Sequence, residues 1–160
     1  MEEISIHSII TNYGLYLGTY VICLISGFVP IINAEIYLVI VSATLTKSSF
    51  IPVLFLATMG QMTAKAVFYF SGMGIIKLSF RRYESKIDAV MVKMQKWKSK
   101  VDLLIFLSAF TGFPPFYIIP IVAGIIPHNF LRFFISGFIG RLLRFGLLML
   151  FPPFFKKLFT

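Results

Sequence analysis

The amino-acid sequence predicts an all-α integral membrane protein: two re-entrant helical hairpins and two long spanning helices in an inverted repeat, joined by a basic amphipathic helix. Of its 160 residues, 58% are apolar and 13% are charged, whereas soluble domains carry about 25% charged residues. The mean hydropathy of +0.90 agrees with this composition. Apolar runs reach the length that spans a bilayer, and similar interruptions of those runs occur in both halves of the chain.

The formal net charge of +9 is concentrated in one loop and at the C-terminus. This distribution favours membrane lipids and their anionic head groups as partners, and it disfavours nucleic acid. Cys23 is the single cysteine, which excludes an internal disulfide and a cysteine metal site. His7 and His128 have no partners at ligand spacing, so neither a metal nor another cofactor is predicted. The acidic start, with Glu2 and Glu3, does not resemble a cleaved signal peptide.

The first hairpin is predicted from an apolar run over residues 24–45 that is interrupted near its middle. Gly27, Pro30 and Asn33 form the break, because proline removes a backbone donor and asparagine favours the N-cap of a new helix. Glu35 follows, where a carboxylate suits the positive end of that helix. Irregular backbone at membrane depth has to be covered by protein or water, and an ionisable group there is a functional hypothesis by default. Glu35 is therefore predicted to be a gating or proton-sensitive residue.

The lengths of the apolar segments favour a hairpin at this break. The hairpin arms are residues 13–28 and 34–45, preceded by a short amphipathic segment at residues 4–10. Together the arms are too long for one straight span and too short for two crossings of about 20 residues each. A hairpin that enters and leaves on the same face fits this length best, and one broken, tilted span is the alternative. After a polar turn at residues 47–49, residues 50–78 supply the first spanning helix.

Residues 80–101 change to an amphipathic pattern, with apolar side chains at steps of three or four and seven basic residues among them. Such a pattern is typical of a helix that lies in the membrane surface, and Trp97 suits that depth. Because positive loops remain cytoplasmic, this linker helix, residues 80–100, is predicted on the cytoplasmic side. A solvated linker that only sets the topology is the alternative.

The pattern of the first half returns after the linker. Residues 103–110 and 116–126 form two apolar arms, and residues 131–151 form the second spanning helix, which Pro152 and Pro153 are expected to end. The break between the two arms contains Gly112, Pro114 and Pro115.

The chain is thus predicted to be a single membrane domain in three parts. They are a first hairpin and span (residues 1–78), the linker helix (79–101) and a second hairpin and span (102–160). If each span crosses once, the hairpins enter from opposite faces, which makes an inverted repeat with both termini outside. In such repeats, paired interrupted helices mark a binding site near the midplane.

Five ionisable side chains fall within the apolar segments or near their ends: Glu35, Lys65, Arg132, Arg141 and Arg144. Each costs roughly 2.5–3.5 kcal/mol or more when unpaired at the bilayer centre, so they are expected to face one another or water. Basic side chains outnumber the acid, which favours a cavity that binds an anion, a phosphate in particular. Arg141, Arg144 and Lys65 are the predicted anion-binding residues, since arginine matches phosphate with a planar fork. As alternatives, Glu35 only caps its helix and pairs with Lys65, and Arg132 and Arg144 extend to the interface.

Four short motifs follow one another along nearly the whole chain. They are residues 27–35, GFVPIINAE; residues 60–74, with Lys65, Tyr69, Gly72 and Gly74; residues 113–115, FPP, followed by Ala123 and Gly124; and residues 140–145, GRLLRF. In this order they resemble the motifs of the DedA superfamily, whose members carry the VTT (SNARE-associated) domain. The last motif resembles the end of the YqaA-like branch.

This resemblance implies lipid movement, since bacterial members are linked to flipping undecaprenyl phosphate or phospholipids across the inner membrane, and eukaryotic relatives to lipid scrambling. The chain departs from the family pattern at three positions. Lys65 stands where many members have aspartate, Ala109 where many have arginine, and Tyr117 where an acid or arginine is common. The acid pair and the paired arginines inferred for proton linkage in the family are therefore incomplete here. Arg141 and Arg144 are expected to replace the missing basic charge.

The leading hypothesis is a transporter, a flippase or scramblase for an anionic lipid, in which both hairpin breaks open in turn. A proton-coupled secondary transporter of a small anion or osmolyte is one alternative, and a non-transporting membrane scaffold is another. No hydrolase or transferase motif occurs in the sequence, so no enzyme activity is predicted. The oligomeric state, including a homo-oligomer, is left open.

Overall fold

A computed structural model describes the backbone of residues 6–29, 31–79, 98–126 and 128–158, and the side chains of residues 14–29, 31–74, 100–126 and 128–152. Throughout these ranges the regular structure is helical and no strand occurs, which confirms the all-α prediction there. In chain order the helices are α1 (Ile6–Phe28), α2 (Ala34–Ser42), α3 (Lys47–Ser79), α4 (Lys98–Thr111), α5 (Ile118–Ile125) and α6 (Phe130–Leu158). The predicted linker helix lies outside the described residues up to residue 97, as does the predicted break residue Pro30.

Two of the described helices, α3 over Lys47–Gly74 and α6 over Phe130–Pro152, are long and apolar enough to cross a membrane by length and composition. They correspond to the two predicted spanning helices. The polar turn predicted at residues 47–49 is wrong, because these residues form the first turn of α3. The preceding Thr46 explains this start, since its hydroxyl is hydrogen-bonded to Ser48 and Ser49 at 3.1 Å each, and hydroxyl residues are favoured at helix N-termini.

The predicted end of the second spanning helix is also wrong. Pro152 and Pro153 were expected to stop it, but α6 continues through both to Leu158. A proline ring fixes φ near the helical value, so its penalty is one lost backbone hydrogen bond and a clash with the preceding turn. Helix α3 likewise contains Pro52. A single proline position therefore does not determine where these helices end.

Helix α1 is one continuous helix, whereas the sequence predicted an amphipathic segment at residues 4–10 separate from the arm at residues 13–28. No proline or glycine occurs between Ile6 and Tyr13, so nothing in the backbone chemistry breaks the helix there. Within the part of α1 whose side chains are described, residues Gly14–Phe28 form an apolar stretch.

The first break is observed where it was predicted. Helix α1 ends at Phe28, and the Oδ1 atom of Asn33 accepts the backbone N–H of Glu35 at 2.9 Å. Helix α2 then turns back against α1, because the hydroxyls of Thr19 and Tyr37 are hydrogen-bonded at 2.9 Å. Helix α2 ends three residues before the predicted arm does, and the re-entrant hairpin stays a prediction.

The second break also lies where it was predicted, between α4 and α5. Gly112 has φ +82°, a conformation that L side chains rarely adopt. The hydroxyl of Ser108 donates to the carbonyl oxygen of Pro114. Helix α4 starts at Lys98, before the predicted arm at 103–110, so the end of the predicted linker and the arm are one helix. Helix α5 is shorter than the predicted arm at 116–126.

The chain divides into two compact units. The first contains residues 1–63 and 145–160, and the second contains residues 64–144, so α3 and α6 contribute to both. The division predicted from the sequence, at residues 79 and 101, stays a prediction. The first unit has Cys23, Leu38, Val53, Ala57, Met62, Phe145 and Met149 in its core, and the second has Ala64, Tyr69, Ile105, Ala109, Phe116, Ala123 and Phe133.

In the first unit, α1 packs closely on α3 at Gly60. A Cβ atom at Gly60 would lie 2.5 Å from the carbonyl oxygen of Tyr20, 3.1 Å from the backbone nitrogen of Leu24 and 3.2 Å from Cβ of Cys23. Only glycine permits so close an approach of two backbones. The neighbouring Gln61 donates through Nε2 to the Ser26 hydroxyl at 2.9 Å, beside the first break.

In the second unit, α4 packs on α6 at Gly140 with the same contact pattern. A Cβ atom there would lie 2.7 Å from the carbonyl oxygen of Phe106, 3.2 Å from the backbone nitrogen of Phe110 and 2.8 Å from Cβ of Ala109. Phe106, Ala109 and Phe110 have the same spacing along α4 as Tyr20, Cys23 and Leu24 have along α1. Each contributes the same type of atom as its counterpart at Gly60. One packing geometry therefore occurs once in each unit.

Candidate functional site: a basic cluster beside the second break

Lys65 is a buried cation in the second unit. It lies on α3 with 4% of its surface exposed, and its Nζ atom lies 5.3 Å from the ring centroid of Phe68. An ammonium over an aromatic face is attracted by the negative face of the ring. Arg141 lies within electrostatic range of Lys65, and the two like charges repel each other.

Arg141 immediately follows Gly140, where α6 approaches the α4 backbone most closely. Its Cζ atom lies 5.0 Å from the ring centroid of Phe116, within the range of a cation–π contact. Phe116 is 2% exposed and follows the second break, while the Nε atom of Arg141 is buried. The guanidinium group is thus placed against an aromatic ring from the segment that joins α4 to α5.

Arg144 lies three residues further along α6, on the same face as Arg141. Its Nη1 atom donates to the carbonyl oxygen of Phe110 at 2.9 Å. Phe110 is in the last turn of α4. Backbone carbonyl groups there accept no hydrogen bond from within the helix and need a donor from elsewhere. A Cβ atom at Gly112 would lie 2.9 Å from the same Nη1 atom, so Arg144 lies directly beside the break.

The three predicted anion-binding residues therefore belong to one compact unit. Lys65 and Arg141 are close to each other, and Arg141 and Arg144 flank the break that contains Gly112, Pro114 and Pro115. Charges of one sign repel, and a bound anion relieves that repulsion. Arginine donors in a planar fork match the oxygens of phosphate or carboxylate, so this arrangement is suited to binding such a group.

Glu35 lies in the first unit, in the first turn of α2. It is half-buried, and its backbone N–H is capped by Asn33 of the first break. Gly27, which was predicted in this break, lies instead in the last turn of α1, so that part of the prediction is wrong. Lys65 lies in the second unit, so the predicted pairing of Glu35 with Lys65 stays a prediction. The role of Glu35 as a gating residue also stays a prediction.

A second polar network was missed by the sequence reasoning. The Nε2 atom of His128 lies 2.7 Å from Oδ1 of Asp102, and Nη1 of Arg132 lies 3.7 Å from the other carboxylate oxygen. The hydroxyl of Tyr69 donates to the backbone carbonyl of His128. Because Asp102 and His128 are 26 positions apart, no local spacing in the sequence reveals the pair. His128 thus connects the end of α5 with α3 and α4.

Asp102→Ala is expected to destabilise the protein by about 1–3 kcal/mol, because it removes the partner of a buried imidazole. Arg132→Ala is the matched control, since Arg132 is 59% exposed and its contact with Asp102 is long; the expected change is within about 0.5–1 kcal/mol. Thermal unfolding of the detergent-solubilised protein, followed by circular dichroism, gives both values. Equal melting temperatures for Asp102→Ala and the unmodified protein would contradict the role of this pair.

Comparison of the chain with protein-family models, with curated proteins and with solved structures finds no match. The resemblance to the DedA superfamily stays an expectation that rests on the motifs. Among the side chains that the structure describes, no group of three or more His, Cys, Asp or Glu residues is arranged to hold a metal ion. The chemistry of the basic cluster has to follow from its own geometry.

Proposed function

We propose that this protein is a DedA-like membrane transporter, a flippase or scramblase that moves an anionic lipid such as a phospholipid or undecaprenyl phosphate across a bilayer. The observation that carries the proposal is the basic cluster of Lys65, Arg141 and Arg144 beside the second break. Two described helices, α3 and α6, have the length and apolar composition of membrane spans, and the three basic residues lie on these helices.

The energetics of buried charge favour an anionic ligand. Charged side chains within spanning segments are costly and mark substrate or ion pathways, and the repulsion between Lys65 and Arg141 favours a ligand of opposite charge. Such an arrangement is retained in a protein when it serves a function. A phosphate head group offers several oxygens to the three basic side chains, while its acyl or prenyl chain remains in the hydrocarbon.

The recurrence of one packing geometry in both halves of the chain supports an internal repeat, and we propose that its two halves are inverted re-entrant hairpins. Gly60 and Gly140 each meet the carbonyl oxygen, the Cβ atom and the backbone nitrogen of positions i, i+3 and i+4 on the preceding arm. In transporters with inverted repeats, interrupted helices from both halves surround the substrate site, and rocking of the repeats exposes it alternately. In this mechanism the two breaks open in turn, and Glu35 senses protons or gates the site.

The location of the protein follows from the same proposal. On the basis of the resemblance and the concentration of basic residues, we propose the bacterial inner membrane as its location, with the predicted linker helix at residues 80–100 on the cytoplasmic side. Anionic head groups of that leaflet then lie near the linker.

Reconstitution into phosphatidylcholine vesicles tests the proposal. One set of vesicles contains fluorescent phosphatidylglycerol and another contains fluorescent polyprenyl phosphate, and dithionite reports the fraction of label in the outer leaflet. Complete bleaching of either lipid in protein-containing vesicles, but not in protein-free vesicles, is the expected result, and the faster lipid identifies the substrate. Uptake of radioactive inorganic phosphate without bleaching would support the small-anion transporter instead, and neither signal would support a scaffold.

A further inference from the structure

The residues on the two sides of the second break contact different arginines of α6. Before the break, the carbonyl oxygen of Phe110 accepts a hydrogen bond from Arg144 at 2.9 Å. After the break, the ring of Phe116 lies 5.0 Å from the Cζ atom of Arg141. The conformation of the break and the position of both guanidinium groups are therefore determined together.

Phe116 contacts Arg141 through its aromatic ring and not through a hydrogen bond. Guanidinium donors lie in the plane of the group, and an aromatic ring attracts a cation through the ring's own face. Phe116 can thus orient Arg141 while the in-plane N–H groups remain suited to the fork-like recognition of a phosphate. Because Phe116 is 2% exposed, surrounding side chains hold its ring in place.

The break itself is tied to α4 and α5 by short-range hydrogen bonds. The Thr111 hydroxyl donates to the carbonyl of Phe113 at 3.0 Å, and the backbone N–H of Ile118 donates to the carbonyl of Pro115 at 3.1 Å. Phe116 lies between these two connections. A rearrangement of the break that disrupts these connections is therefore expected to displace the Phe116 ring relative to Arg141.

We propose that Phe116 is a positioning residue for Arg141, and that it couples binding of a phosphate group to the packed conformation of residues 112–117, which contain the break and the two residues after it. This inference rests on the proposed function, since it takes the basic cluster as the phosphate site. Coupling between two equilibria is reciprocal. A packed break orients Arg141 for the phosphate, and a bound phosphate stabilises the packed break.

The test compares Phe116→Leu with Phe133→Leu in the detergent-solubilised full chain. Phe133 is equally buried, but its ring stacks on Tyr69, so the control loses the same volume without touching Arg141. Dihexanoyl phosphatidic acid, a soluble phosphate lipid, serves as the probe in a calorimetric titration. F116L is expected to bind it about three- to thirtyfold more weakly, whereas F133L and F116W, which keeps an aromatic face, bind within about twofold of the unmodified protein. F116M, which fills a similar volume without a ring, replaces F116L if the latter does not fold.

Hydrogen exchange of residues 111–118 provides the second readout. The probe is expected to slow exchange there in the unmodified protein and in F133L, but not in F116L. Unchanged affinity and unchanged protection in F116L would overturn the positioning role while leaving the proposed function intact. Absence of probe binding and of lipid flipping in the unmodified protein would overturn the proposed function itself.

Discussion

Replacement of Arg141 by alanine is expected to slow lipid flipping in the vesicle assay by about tenfold to a hundredfold. A hydrogen bond to a charged group contributes about 1.5–3 kcal/mol, and each 1.4 kcal/mol corresponds to about a factor of ten. Among the basic residues of the cluster, Arg141 is the one that lies close to Lys65 and also contacts the segment after the second break. Its removal therefore weakens the phosphate site and loosens its link to the break.

Two further variants separate charge from geometry in this prediction. Arg141→Lys keeps the charge but not the planar fork, so an intermediate rate is expected. Arg132→Ala removes an arginine from the same helix that is 59% exposed and contacts Asp102, so an unchanged rate is expected. A normal flipping rate for Arg141→Ala, with the protein folded and inserted, would exclude the basic cluster as the substrate site.

The parts of the fold that the sequence predicted well are those governed by local chemistry. Asn33 caps α2 because its side chain reaches backbone N–H groups two and three residues ahead, and such a cap is readable from neighbouring residues. Gly112 lies at the second break because only glycine adopts its φ without strain. Both breaks were therefore located correctly from a few residues each.

Helix boundaries were predicted less well because they depend on more than the residue that usually ends a helix. Pro152 and Pro153 were expected to stop α6, and residues 47–49 were expected to form a turn, yet both lie within helices. A proline removes one hydrogen bond from a ladder of many, and serines near a helix start can be satisfied by a neighbouring hydroxyl. Neither outcome can be read from a single position.

In the candidate site, too, the residues could be selected from the sequence, but their contacts with one another could not. Lys65, Arg141 and Arg144 could be selected from the sequence because basic residues in apolar segments are costly and therefore rare. That Phe116 lies against Arg141 depends instead on how closely α4 approaches α6 at Gly140, which no local pattern encodes. Long-range packing decides which of the candidate residues contact one another.

The close contact between α3 and α5 leads to the second large prediction: Gly72→Ala is expected to destabilise the protein severely. A Cβ atom at Gly72 would overlap the carbonyl oxygen of Ile121, and one at Gly124 would overlap that of Tyr69. Because both obstacles are backbone atoms, the two helices must separate to admit a methyl group. We expect a loss of about 3 kcal/mol, or roughly 6–12 °C in melting temperature for a chain of this size, and Gly124→Ala is expected to behave alike.

Gly74→Ala is a matched control on the same helix, because a Cβ atom there meets nothing within 4 Å. Its expected effect is about 1 kcal/mol or less, in the stabilising direction that alanine gives to a helix. Circular dichroism melting curves in one detergent compare the three variants. If Gly72→Ala and Gly74→Ala have the same melting temperature, the backbones of α3 and α5 are not in contact at this point. The break that precedes α5 would then lack the fixed support on which the coupling of Phe116 to Arg141 depends.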